Sequence, residues 1–205
     1  MHRHPTGKLL VNAVARKVQR GGKVQRGFTL VELMTALAVL VVLLSLAAPD
    51  FGRLLRDSKL STVTNGLAAA IGAARTEAGK RATWAMLQPA DGTDWSSGWI
   101  AFADTNMDGR YDQNLDVLVA KGQLPDASFA LAGDLAENGA GRPYLMFDAL
   151  GYSRTLDGGF RTSTIEVQSK AGTPLKARIK VSATGRVRAC RPTSPSDPAC
   201  SPEGG

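Results

Sequence analysis

The chain has 205 residues, 43% of them hydrophobic, which suits one small domain with extensions and argues against wholesale disorder. Its net charge of +7 equals the seven Lys and Arg residues of segment 1–27, which contains no acid. The overall charge therefore gives no argument for a nucleic-acid partner. Both histidines, His2 and His4, lie in that segment, so residues 28–205 lack the groups for Ser-His-Asp or Cys-His catalysis and for nearly every zinc site. We expect a protein that is not an enzyme and that uses no cofactor.

An apolar stretch fills residues 28–48, with only Thr29, Glu32, Thr35 and Ser45 as polar interruptions. As a helix it would reach about 30 Å, the hydrocarbon thickness of a bilayer. Because the basic segment precedes it, the positive-inside rule predicts residues 1–27 in the cytoplasm and the C-terminal part outside. Three interpretations compete: a secretory signal peptide, whose apolar region is usually shorter, a plain single-pass anchor, or an anchor with a processing site at its start.

The third interpretation accounts for Gly27 and Glu32, because Gly27-Phe-Thr-Leu-Val-Glu32 resembles the type IV prepilin motif. The resemblance implies that a prepilin peptidase removes leader 1–27 by cleaving after Gly27 and methylates Phe28. A carboxylate buried among helices is costly unless it is paired, and Glu32 can meet the amine of a neighbouring subunit's Phe28 in a filament. Pro49 ends the predicted membrane and filament helix, 28–49, where pilins place a kinking proline.

Apolar residues at helical spacing continue past Pro49 and predict that one long helix extends to about Arg81. This stripe comprises Leu60, Val63, Leu67, Ile71, Ala74 and Ala78. From Trp84 the pattern changes to short runs between Gly, Pro and Asp turns, which predict strands at 84–88, 99–103, 116–120, 128–132, 144–148, 162–168, 176–182 and 186–190. We therefore expect an α+β fold in which the helix packs against an antiparallel sheet.

Three stretches in correct order resemble the GspH/FimT family of minor pilins and pseudopilins: residues 67–78, residues 95–106, and Gly185-Arg-Val-Arg-Ala-Cys190. The resemblance implies a globular pilin domain at 50–190, followed by a Pro-rich tail, 191–205. It also implies a subunit that is anchored in the bacterial inner membrane with its domain in the periplasm. This subunit would be incorporated sparsely into a filament of other pilins or pseudopilins. The family includes type II secretion pseudopilins and type IV pilins, among them a branch that binds DNA in natural transformation.

Basic residues are concentrated near the C-terminus, where residues 161–205 carry a net charge of +5. Alternation along two predicted strands would align their side chains in a strip of about 20 Å, matching several phosphates. No aromatic residue follows Phe160, so we expect contacts to the backbone of double-stranded DNA rather than base stacking. A solvated sheet edge and an acidic partner subunit are the alternatives. The candidate residues are Lys176, Arg178, Lys180, Arg186, Arg188 and Arg191.

Cys190 and Cys200 enclose nine residues that include three prolines. An even cysteine count in an exported domain predicts a disulfide, here closing a small surface loop that fixes the tail.

One acidic segment resembles the first part of an EF-hand calcium loop and contains Asp104, Asn106, Asp108 and Asp112. The twelfth position is Leu115 instead of the bidentate Glu, and such clusters also form ordinary turns. We therefore expect a connecting loop, with a calcium site as the alternative.

Overall fold

The computed structural model describes residues 27–171, 175–194, 197 and 200, without the side chains of residues 46–50. The expected leader, apart from Gly27, and the greater part of segment 195–205 lie outside the described residues. The chain divides into two compact units, Met1–Leu46 and Ala47–Gly205. One long helix, α1, comprises Leu30–Arg81 and contributes residues to both units.

In the first unit, Thr29 caps the start of α1. Its hydroxyl accepts a hydrogen bond from the Glu32 amide at 3.2 Å, and its carbonyl accepts one from the Leu33 amide at 3.1 Å. The hydroxyls of Thr35 and Ser45 donate to carbonyls three residues earlier, so both are satisfied within the helix. Every side chain from residue 28 to 45 is exposed. Among the described residues, no helix combines the length and hydropathy required to cross a membrane.

In the second unit, α1 buries the predicted stripe. Its six residues, Leu60 to Ala78, are at most 4% exposed. The helix ends in a Schellman motif, in which Ala82 adopts a positive φ of 52° and the Thr83 amide donates to the Ala78 carbonyl. The predicted C-terminal end near Arg81 is confirmed.

Ten strands follow in the described residues. All eight predicted strands are present, with ends shifted by at most two residues, and two strands of two residues each were not predicted. The strands are β1 Trp84–Pro89, β2 Trp99–Asp104, β3 Val117–Gly122, β4 Phe129–Asp134, β5 Ala136–Glu137, β6 Pro143–Phe147, β7 Ser153–Arg154, β8 Ser163–Ser169, β9 Leu175–Val181 and β10 Val187–Cys190.

The strands form two antiparallel sheets, so the expectation of a single sheet is wrong. The larger sheet has the order β3-β2-β1-β6-β5, with β7 paired to β6, and the smaller has the order β10-β9-β8-β4. The division arises because β4 pairs with β8 instead of extending the sheet beside β3. The expected fold class, α+β with a long N-terminal helix packed on antiparallel strands, is confirmed.

The main core lies between α1 and the inner faces of both sheets. Leu67 and Ile71 of the helix join Leu87 and Phe147 of the larger sheet and Ile179 of the smaller one. A second cluster lies on the outer face of the larger sheet and contains Met86, Phe102, Ala136, Tyr144 and Met146. The smaller sheet presents alternate residues of β8, β9 and β10 on its own outer face, where the predicted basic residues lie.

Candidate functional site: the processing motif and a basic hairpin

The predicted processing motif, residues 27–32, lies at an accessible helix start. Gly27 and Phe28 precede α1, and Phe28 is 82% exposed. Glu32 occupies the first turn, where its charge is favourable to the helix dipole. Twelve large apolar side chains are exposed along this part of the chain, from the start of the helix onward: Phe28, Leu30, Val31, Leu33, Met34, Leu37, Val39, Leu40, Val41, Val42, Leu43 and Leu44. A surface of this size is typical of a segment that packs against other helices or lipid.

The basic hairpin is formed by β9 and β10. Its turn is closed by hydrogen bonds from the Gly185 amide to the Ser182 carbonyl and from the Ser182 amide to the Arg186 carbonyl. Gly185 has a φ of 76°, which favours glycine, and a Cβ there would collide with the carbonyl oxygen of Gly151. The predicted turn at Thr184-Gly185 is therefore present.

Arg75 of α1 fixes this turn against a neighbouring loop. Its Nε donates to the Gly151 carbonyl at 2.9 Å, and its Nη2 donates to the Thr184 carbonyl at 3.2 Å. The Ser153 amide also donates to the Ala183 carbonyl at 3.0 Å. The hairpin turn is thus held by the helix and by the segment around Gly151.

The six predicted basic residues do not form one exposed strip. Arg178 is only 8% exposed, because its guanidinium donates to Glu166 at 2.8 Å and to the Cys200 carbonyl at 2.7 Å. Lys176 pairs with the same Glu166 at 2.7 Å. Burial alone would raise the pKa of Glu166, but the hydrogen bonds from Lys176 and Arg178 outweigh it and leave the pKa below its usual value. Arg178 therefore stabilises the domain and is not available to a ligand.

Arg191 also departs from the predicted strip. Its guanidinium turns toward α1 and contacts the Asp57 carboxylate and the Ser61 hydroxyl, each at 2.5 Å. Both contacts attach the start of the tail to the helix.

Two cations, Arg186 and Arg188, are exposed on the outer face, and the half-buried Lys180 lies beside them. Arg188 lies directly opposite Lys180 in the β9–β10 register, and Arg186 precedes Arg188 by two residues. Arg186 and Arg188 are exposed, and their guanidinium groups form no ion pair within the described residues. We call Lys180, Arg186 and Arg188 the cationic trio.

The disulfide between Cys190 and Cys200 is present, with a Cα–Cα distance of 5.7 Å. Cys200 is 1% exposed, and its carbonyl is the acceptor for Arg178. Asp197 organises the loop, since its carboxylate accepts from the amide and hydroxyl of Thr193, both at 2.9 Å. Cys200 thus lies against Arg178 on the outer face.

The acidic segment forms a set of turns. Asp104 accepts from the amides of Asp108 and Gly109, while Asp108 and Asp112 accept from amides two residues further along. Burial raises the pKa of the Asp104 carboxyl. Asn106 donates to Asp108 at 2.9 Å. Within the part of the chain that the structure describes, no three acidic, Cys or His side chains are grouped to hold a metal ion.

Two aromatic residues that the sequence pattern did not indicate lie beside the hairpin. Tyr152 and Phe160 are exposed by 36% and 61% and contact each other edge to face, with ring centroids 5.6 Å apart. The guanidinium of Arg154 lies 3.7 Å from the centroid of the Phe160 ring. We call Tyr152 and Phe160 the aromatic pair. The link to the turn is the hydrogen bond from the Ser153 amide to Ala183, thirty residues later in the chain, which no local pattern indicates.

A helix with an apolar, capped start that leads into a helix-backed antiparallel domain has the architecture of a pilin-like subunit. The chain belongs to the family described as type II transport protein GspH, whose model matches residues 63–185. The prokaryotic N-terminal methylation motif matches residues 22–48. Pilins and pseudopilins are structural subunits and not enzymes.

Among characterised proteins, the pilin-like protein PilA1 of Thermus thermophilus is 38% identical over 90 residues, which are 43% of this chain and 54% of PilA1. The chain thus spans about half the length of this relative. Two crystal structures of the type IV minor pilin FimU of Pseudomonas aeruginosa PAO1 are also similar. The first is 17% identical with a TM-score of 0.48, and the match covers 68% of this chain and 96% of FimU. The second is 16% identical with a TM-score of 0.45, and the match covers 65% of this chain and 98% of FimU.

Proposed function

We propose that the chain is a minor subunit of a type IV pilus that contacts DNA through the cationic trio. Prepilin peptidase cleaves after Gly27 and methylates Phe28. Until assembly, the apolar part of α1 anchors the subunit in the bacterial inner membrane with its C-terminal domain in the periplasm. In the filament, this part of α1 packs against the corresponding helices of other pilins.

The observation that carries the filament role is the combination of exposed apolar residues at the start of α1 with a single acid, Glu32. Burying these side chains among neighbouring helices would remove a large apolar area from water. The carboxylate is tolerated in such surroundings only if it meets a cation. The amine that cleavage creates on Phe28 of an adjacent subunit would supply this charge.

Processing is tested by coexpressing the full chain with a prepilin peptidase and its pilus components. Mass spectrometry should find a mature chain that begins with N-methylated Phe28, and cross-linking should place it in sheared filaments. Glu32→Gln should be cleaved normally but should be absent from filaments, whereas Glu137→Gln, an exposed acid of the domain, should assemble. Normal incorporation of Glu32→Gln would contradict the pairing.

The observation that carries the DNA role is the exposure of Arg186 and Arg188 beside Lys180 on a rigid turn. Two exposed guanidinium groups neutralising about two phosphates predict sequence-independent duplex binding with a log-log salt slope of about −2. Arg186→Ala/Arg188→Ala should abolish most of the binding in a gel-shift titration. Arg110→Ala/Lys121→Ala removes the same charge from exposed positions elsewhere and should bind like the unmodified chain.

A second candidate is a pseudopilin of type II secretion with a purely structural role, which the description of the matching family model favours. It predicts no DNA affinity at low salt in folded protein and direct contact with other minor pseudopilins. In that case the cations of the hairpin protect β10, an edge strand, from pairing with other chains.

A further inference from the structure

The aromatic pair and the cationic trio occupy adjacent segments. Tyr152 lies between Gly151, whose carbonyl binds Arg75, and Ser153, whose amide binds Ala183 in the hairpin turn. Arg75 also binds the carbonyl of Thr184, two residues before Arg186. These three hydrogen bonds hold the aromatic segment against the basic turn.

The aromatic segment is rigid. The Asp148 carboxylate accepts from the amides of Leu150 and Tyr152 at 3.0 and 2.9 Å, and the Asp148 amide donates to the Tyr152 carbonyl. Phe160 is fixed by its bridge to Arg154 and by the guanidinium that lies over its ring. Both rings are therefore held in place before any ligand binds, which lowers the entropy cost of binding.

The other aromatic residues from Trp84 onward are buried or half-buried. Trp95, Trp99, Phe102, Phe129, Tyr144 and Phe147 are at most 8% exposed. Phe160 and Tyr152, by contrast, face solvent together with Leu150, which is 78% exposed. Cations beside fixed, solvent-facing rings are the combination that single-stranded nucleic acids use, with phosphates on the charges and unpaired bases on the rings.

We infer that the aromatic pair extends the proposed DNA surface and stacks unpaired bases, so that single-stranded DNA binds more tightly than duplex. This inference depends on the proposed function, because the trio supplies the phosphate contacts. A duplex presents its phosphates to the trio but keeps its bases stacked on each other, and only a strand end or an opened region reaches the rings. The expectation from sequence that base stacking is absent considered only residues after Phe160, and the fold brings earlier aromatic residues to the turn.

The test uses the full chain in a nonionic detergent and fluorescence anisotropy with three labelled probes of equal length: oligothymidine, a duplex, and an abasic single strand. The unmodified chain should bind oligothymidine about tenfold more tightly than the abasic strand, since stacking on an aromatic side chain is worth about 1–3 kcal/mol per base. Tyr152→Leu/Phe160→Leu should lose this difference while keeping its affinity for the duplex. Tyr152→Phe, which keeps the ring, should retain it.

Three outcomes separate the inference from the proposed function. If duplex and oligothymidine both bind and Tyr152→Leu/Phe160→Leu changes neither, the inference fails and the DNA role stands. If no probe binds to folded protein, both fail. If the leucine variant keeps the preference for oligothymidine but is excluded from filaments, the aromatic pair belongs to a contact between subunits and the inference is overturned. Leu115→Ala, an exposed residue of another loop, serves as the surface control.

Discussion

The two sheets share the core beneath α1, but their outer faces differ. The larger sheet covers its outer face with its own loops, so that Met86, Phe102 and Met146 are at most 2% exposed. The smaller sheet carries charged residues there, partly covered by Cys200 of the disulfide and otherwise open to solvent. The difference indicates a division of roles, in which the outer face of the larger sheet adds stability and that of the smaller sheet is available for contacts.

The largest effect is expected for Phe102→Ala in the outer cluster of the larger sheet. Phe102 is fully buried and its ring packs against Tyr111, with centroids 5.2 Å apart. Removing a buried phenyl ring lowers the free energy of unfolding by about 3–5 kcal/mol. Urea unfolding followed by tryptophan fluorescence measures this loss. A change below about 1 kcal/mol, the scale of a surface substitution, would mean that this cluster is not a second core.

The double substitution Cys190→Ser/Cys200→Ser tests how much the disulfide beside the smaller sheet stabilises the domain. The chain-entropy account assigns a loop of this length about 2–3 kcal/mol. We expect the loss in urea unfolding to fall in that range, with the proposed DNA binding by the trio unchanged. Loss of DNA binding in a folded variant would show that the loop also positions the trio.

Arg178→Ala tests the ion pair between the buried Arg178 and Glu166. It leaves Glu166 with only Lys176 as a partner and the Cys200 carbonyl without its donor, at a cost of about 2 kcal/mol. Lys176→Ala, whose side chain is 42% exposed, should cost about 0.5 kcal/mol or less. Equal losses in thermal unfolding of the two variants would contradict the burial of Arg178.

The smallest effect concerns acid stability. Because the folded-state pKa of Glu166 is lowered, its ion pairs stabilise the domain fully above the unfolded pKa, and this contribution is lost as pH falls through the folded pKa. Glu166→Gln should therefore lower the melting temperature near neutral pH, and the difference from the unmodified chain should shrink as the pH falls through the folded-state pKa of Glu166. Other acids with lowered pKa values, such as Asp91 at about 2, titrate in both proteins and cancel in this difference.

The periodicity of apolar residues in the sequence predicted the positions of the helix and strands better than it predicted which strands pair with each other. The stripe from Leu60 to Ala78 and the alternation in β8 and β9 gave the helix and strands, because each is set by residues close in sequence. The strands β5 and β7 have two residues each, too few for any periodicity. The split into two sheets depends on the pairing of β4 with β8, whose partners are 30 or more residues apart.

The basic hairpin shows the same limit of prediction from local sequence patterns. The alternation of Lys176, Arg178 and Lys180 was predicted correctly as one face of a strand. The different environments of these residues could not be predicted, because Glu166 and Cys200, which enclose Arg178, come from other segments. Likewise, the segments around residues 152 and 184 are brought together by Arg75 of the helix and by the hydrogen bond from Ser153 to Ala183, neither of which a local pattern indicates.

The hydrogen bonds of Arg75 have a mechanical consequence. Along the backbone, the hairpin turn is separated from α1 by about a hundred residues of strands and loops, whereas through the guanidinium it is one side chain away. If the turn holds a ligand as proposed, tension applied there would reach α1 through Arg75 as well as through the strands.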